Sequence, residues 1–121
     1  MNGRLWLTLA ALSGALAVAA GAFGAHAAPG LIQKAWLQTG ASYQLVHALA
    51  AVAAILLARQ SGARMAARAA VLFVVGAFVF SSSLYLMALG APRVLGAVTP
   101  LGGVLMILGW LTLALAAARG R

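Results

Sequence analysis

The sequence has no aspartate, no glutamate and no cysteine among its 121 residues. Without cysteine there is no disulfide framework, no thiolate chemistry and no cysteine-based metal site. Without side-chain carboxylates no acid orients a catalytic histidine, and no Asp or Glu chain carries protons across a membrane. A full tetrahedral zinc site cannot be assembled from one such chain either. No enzymatic activity is expected. A water-soluble surface mixes both signs of charge over roughly a quarter to a third of its residues. Here charged residues are 7% of the chain, all of them positive, and 65% is hydrophobic. Lipid must be the main solvent.

The net charge of +8 raises nucleic acid as a partner, because basic stripes are the footprint of phosphate binding. The cations instead sit singly or in small groups between long apolar runs, so no nucleic-acid partner is expected. Membrane lipids with anionic headgroups match that distribution better. Two histidines are a possible ligand pair for haem iron or a transition metal, but no c-type attachment motif accompanies them. No cofactor is expected.

Four apolar stretches can be measured against the bilayer. Leu5 to Ala25, Ala69 to Leu89 and Pro100 to Ala118 each hold about 20 residues, the length that spans a hydrocarbon core. Tyr43 to Ala58 is shorter and needs Thr39 to Ser42 to complete a crossing. In lipid every backbone polar group must be satisfied within its segment, so runs of this length are helices. The expected fold is all-α, an integral membrane four-helix bundle in one domain over 1–121, with helices near 4–27, 40–59, 66–90 and 99–118. Leu31 to Gln38 reads either as a short interfacial helix with Trp36 at headgroup depth or as an ordered loop. Thr99-Pro100 reads as an N-cap followed by a first-turn proline, Gly90-Ala91-Pro92 stops the third helix, and Ala28-Pro29-Gly30 ends the first.

Arg4, the apolar run and Ala25-His26-Ala27 imitate a secretory signal, but the run exceeds the usual 7–15 residues. It is read as a transmembrane helix. Arg4, Arg59, Arg64, Arg68, Arg119 and Arg121 fall on one side of the bundle, against Lys34 and Arg93 on the other. Positive-inside bias then puts both termini in the cytoplasm. Ser13, Ala17, Gly21 and Ala25 recur every four residues, a small-residue stripe open to close helix approach or a by-product of alanine-rich composition.

Polar residues inside apolar helices carry the remaining information, because an unsatisfied polar group in hydrocarbon costs several kcal/mol. They are His26, Tyr43, Gln44, His47, Ser81, Ser82, Ser83 and Tyr85, and all fall toward the outer half. They form either a small ligand-binding pocket or a set of interhelical hydrogen bonds. In the pocket reading His26, Tyr43, His47 and Ser83 converge. Tyr43 and His47, four apart, then face helices one and three, with His47 neutral and bonded to a hydroxyl or amide.

Gly21-Ala-Phe-Gly-Ala-His-Ala27, Thr39, Tyr43-Gln44 and His47-Ala-Leu49 together resemble the YgdD-like small inner-membrane proteins, domain-of-unknown-function family 423, which has a mitochondrial relative in animals. Phe80-Ser-Ser-Ser-Leu-Tyr85, Thr99-Pro-Leu-Gly-Gly103 and Gly109-Trp110 continue the resemblance over nearly the whole chain. Ser82 stands where the family commonly has glycine, and Ala28 where leucine is usual. The resemblance implies a four-helix protein of the bacterial inner membrane and marks His26, Tyr43, Gln44, His47, Ser81, Ser83 and Tyr85 as ligand-binding candidates.

Two functions are compatible with these features. One is a non-enzymatic accessory protein packing with itself or with another membrane protein. The other is a binding or transport module for a lipid headgroup, small solute or haem, using the outer-half polar residues.

Overall fold

In the computed structural model, which describes residues 2–119, the first helix begins where a side chain satisfies its loose backbone amides. Asn2 Oδ1 accepts from the Arg4 and Leu5 N–H groups at 3.1 and 3.2 Å. From there α1 runs Gly3–His26 and ends ahead of Pro29, whose ring steers the preceding residue away from helical geometry. The chain continues as α2 (Leu31–Ser61), α3 (Arg64–Ala88), a 3-10 helix (Arg93–Ala97) and α4 (Thr99–Ala118). Four segments are long and apolar enough to cross a membrane, and no strand occurs among the described residues. The protein is an all-α membrane bundle.

One segment departs from the sequence reading. Leu31 to Gln38 is neither a separate interfacial helix nor a loop: it forms the first turns of α2, a single helix of 31 residues. At 1.5 Å per residue α2 is ~46 Å long, well beyond a ~30 Å hydrocarbon core. The reason is phase. Leu37, Ala41, Gln44, His47, Ala51 and Ile55 are all buried at spacings of three and four, so one buried stripe continues unbroken through both parts. Near the start of that helix the Arg93 guanidinium stands over the Trp36 ring, 5.6 Å from its centroid, and anchors the connection between α3 and α4.

The helices do not surround one central axis. α2 and α3 form the middle pair, α1 packs on α2 and touches α3, and α4 packs on α3. Two apolar cores result. One gathers Ala10, Ala51, Ile55, Ala70 and Phe73, and the other gathers Ala20, Leu37, Ala41, Tyr85 and Ala88. Alanine and glycine dominate because, without a hydrophobic drive between helices in lipid, close backbone approach supplies the attraction. The closest approach is between α3 and α4. A Cβ on Gly102 would collide with Phe80 N and would lie 2.7 Å from both Gly76 O and Phe80 Cα.

The start of α4 is a second departure. Thr99 is not its cap. Val98 occupies that position without a side-chain hydrogen bond, and Thr99 begins the helix with Pro100 in the first turn. The Thr99 hydroxyl points instead to α3, where Ser83 offers a buried partner.

Candidate functional site

Gln44 is the hub of the polar interior. It is 2% exposed, its Nε2 donates to Ser13 Oγ at 3.1 Å, and its Oε1 accepts from the Tyr85 hydroxyl at 2.7 Å. One amide thus joins α1, α2 and α3. One turn earlier in α2, Ser81 Oγ donates to the Gly40 carbonyl at 2.7 Å. Glycine is needed there for a second reason: a Cβ at position 40 would lie 2.6 Å from Tyr85 Cε1. Only a bare backbone lets the tyrosine ring lie against α2 and reach Gln44.

His47 ties α2 to α4. Its Nδ1 is 2.7 Å from the Tyr43 carbonyl, and its Nε2 is 2.9 Å from Trp110 Nε1. The carbonyl only accepts and the indole only donates, so the neutral imidazole with its proton on Nδ1 satisfies both contacts. Phe73 and Trp110 flank the ring, with centroids 5.7 and 5.8 Å away. On α3, Ser83 Oγ donates to Phe80 O at 2.7 Å and lies 2.5 Å from Thr99 Oγ1. The serine's one proton is committed to Phe80, so the threonine donates to the serine.

These contacts rearrange the expected site. Gln44, Ser81 and Tyr85 meet on the side of α2 that faces α1 and α3. His47 and Ser83 lie toward α4. His26 is exposed at the last residue of α1, and Tyr43, though stacked 6.3 Å from His47, is 48% exposed. So His26, Tyr43, His47 and Ser83 do not converge in one pocket. The physical reason is helix order: α4 lies on α3, so the His47 face of α2 looks toward α3 and α4, not toward helices one and three. His47 bonds the backbone amide carbonyl of Tyr43 and an indole, and no side-chain hydroxyl or amide. The network also extends to the middle of the helices, since Ser13 and Trp110 sit near the midpoints of α1 and α4.

The cavity beside Ser42, Tyr43, Val46 and His47 measures about 160 Å³, below the ~300–1,000 Å³ typical of small-molecule sites. No buried side-chain nitrogen or oxygen among the described residues lacks a hydrogen-bond partner. Among the same residues no three His, Cys, Asp or Glu side chains group as metal ligands. Three bonding partners escaped the sequence reading: Ser13, Thr99 and Trp110. Trp110 carried a signal, because an indole N–H within an apolar membrane-spanning helix needs an acceptor.

Three of the four members of the small-residue stripe of α1 are occupied within the chain, and Ala25 is exposed. Ala17 is buried, Gly21 would place a Cβ 3.5 Å from Ala41, and Ser13 bonds Gln44.

Comparison with known proteins identifies the sequence group. Residues 20–103 match the model of a protein family of unknown function, DUF423. The chain is 39% identical over 120 residues to the UPF0382 membrane protein YwdK of Bacillus subtilis, covering 96% of this chain and 98% of that one. It is 37% identical over 122 residues to the UPF0382 inner membrane protein YgdD of Escherichia coli K12, covering 98% and 93%. A Haemophilus influenzae UPF0382 membrane protein is 38% identical over 112 residues, covering 90% of each. No solved structure matches the chain. With a family match across most of its length and such relatives end to end, the chain belongs to the DUF423 family of membrane proteins.

Proposed function

We propose that this chain is a non-enzymatic accessory protein of the bacterial inner membrane that packs with itself or with another membrane protein. The observation that carries this reading is the self-satisfied polar interior: every buried side-chain nitrogen and oxygen described has a partner within the protein itself. Five of the seven residues considered for a ligand, Gln44, His47, Ser81, Ser83 and Tyr85, are already used to hold helices together. A partner's place is suggested by the outer side of α1, where Ala11, Ala15, Ala19 and Ala22 are exposed in a row. Small side chains there permit a second helix to approach closely.

Native mass spectrometry of the detergent-extracted full chain tests this. The expected spectrum shows the chain bound to itself or to another membrane protein, with Ala15→Leu lowering the associated fraction. A single chain carrying a stoichiometric haem or other non-lipid solute would overturn the reading.

The same proposal includes both termini on the cytoplasmic side, from the six cations at that end against two at the other. Single cysteines at Gln33 and Gly62 should label from opposite sides of the membrane. Equal labelling of both by an impermeant thiol reagent in intact cells would contradict the orientation.

A further inference from the structure

Two cavities have walls from both α1 and α3, one at the end of the bundle away from the polar network and one that reaches Ser13 and Gln44 of that network. At the end of the bundle that holds the α1 N-terminus, a cavity of about 420 Å³ is bordered by Arg4, Arg59 and Arg64, one arginine from each of three helices. The Arg59 guanidinium reaches across to α1, so that a Cβ on Gly3 would lie 3.6 Å from its Nε and Nη2. The sequence has no side-chain carboxylate, so the counter-charge for this cluster comes from outside the chain. Arginine's planar fork is the side chain best matched to phosphate oxygens.

Farther along the cleft between these two helices is a groove of about 370 Å³, walled by Trp6 and Leu9 of α1 and Val74 and Phe78 of α3, with Ser13 and Gln44 also lining it. Helical periodicity puts the two cavities on one line. Arg64, Ala67, Val74 and Phe78 recur on one face of α3, as Gly3, Trp6, Leu9 and Ser13 do on α1. From Arg64 to the groove residues Val74 and Phe78 is ~15–21 Å along the helix. One leaflet of a ~30 Å hydrocarbon core is about as deep.

We infer that this cleft is a binding site for one anionic phospholipid, with its phosphate among Arg4, Arg59 and Arg64 and an acyl chain in the Trp6–Phe78 groove. General positive-inside bias accounts for cations at this end. It does not account for three of them converging from separate helices at the head of an apolar groove of acyl-chain length. The inference stands apart from the accessory role, because a bound lipid neither requires nor prevents a protein partner.

The test is native mass spectrometry of the full chain titrated with phosphatidylglycerol or phosphatidylcholine of identical acyl chains. One equivalent of phosphatidylglycerol should be retained in preference to phosphatidylcholine. The Arg4→Gln/Arg59→Gln variant should lose about tenfold or more in phosphatidylglycerol affinity. Lys34→Gln/Arg93→Gln, which removes the same charge from the opposite end, should keep it. Leu9→Trp, which fills the groove without touching the arginines, should also weaken retention while circular dichroism stays unchanged. Equal retention of the two lipids, equal loss in both arginine and control variants, or displacement of the lipid by millimolar inorganic phosphate alone would overturn the inference.

Discussion

Replacing Gly102 with alanine should lower the unfolding free energy by about 3 kcal/mol, the upper end of the range for overpacking. Overpacking is usually relieved when a neighbouring side chain rotates away. Here the obstructing atoms are backbone: Phe80 N and Cα and the Gly76 carbonyl. They cannot move unless α3 and α4 separate along their shared face, which also pulls Thr99 from Ser83 and Trp110 from His47. The adjacent residue supplies a control. Gly103 has open space where a Cβ would stand, so Gly103→Ala should be neutral or stabilise, because alanine favours helix by up to ~1 kcal/mol over glycine. Reversible unfolding in mixed detergent micelles reads both. Equal effects from the two variants would mean that α3 and α4 do not touch through Gly102.

Gln44→Leu should lower stability by about 2 kcal/mol. Interhelical hydrogen bonds in membranes average ~0.6 kcal/mol and reach ~1.7, and this substitution removes two. The two partners fare differently. Ser13 can turn its hydroxyl back onto a carbonyl of its own helix. Tyr85 loses its acceptor, and a buried hydroxyl left unsatisfied costs about 1–3 kcal/mol, less where the neighbouring Ser81 side chain accepts in place of Gln44. Leucine keeps most of the volume, which confines the effect to the lost bonds. A loss below about 0.5 kcal/mol would remove Gln44 from its place as the hub, since that is the scale of an ordinary surface substitution.

The sequence made the four helices legible because hydrocarbon thickness sets their length and the lack of carboxylates forces a lipid solvent. Gln44, His47, Ser81, Ser83 and Tyr85 stood out for the same reason: each is a polar group that hydrocarbon penalises unless it is bonded. Their partners were harder to read. Ser13 looked like one member of a small-residue stripe, and Thr99 looked like a cap, because serine and threonine serve either role equally well. The pairing of His47 with Trp110 depends on α4 packing against α3, and no local pattern encodes that order. The continuity of α2 was hidden by composition: Gln33, Lys34 and Gln38 interrupt the apolar run, although the buried stripe through Leu37 and Ala41 does not break. The depth of the Gly76–Gly102 contact was equally hidden, because glycines scattered through alanine-rich helices look alike until a neighbour's backbone is known.

The buried polar side chains bind one another and hold the helices together. A double-mutant cycle on Gln44→Leu and Tyr85→Phe, read as unfolding free energy in bilayer-mimicking micelles, tests it most directly. The predicted coupling is about 0.6–1.7 kcal/mol, the range found for interhelical hydrogen bonds in membranes, with the double variant recovering part of what Gln44→Leu loses. Strictly additive losses would contradict the account, because they would show that Gln44 and Tyr85 do not hold each other across α2 and α3.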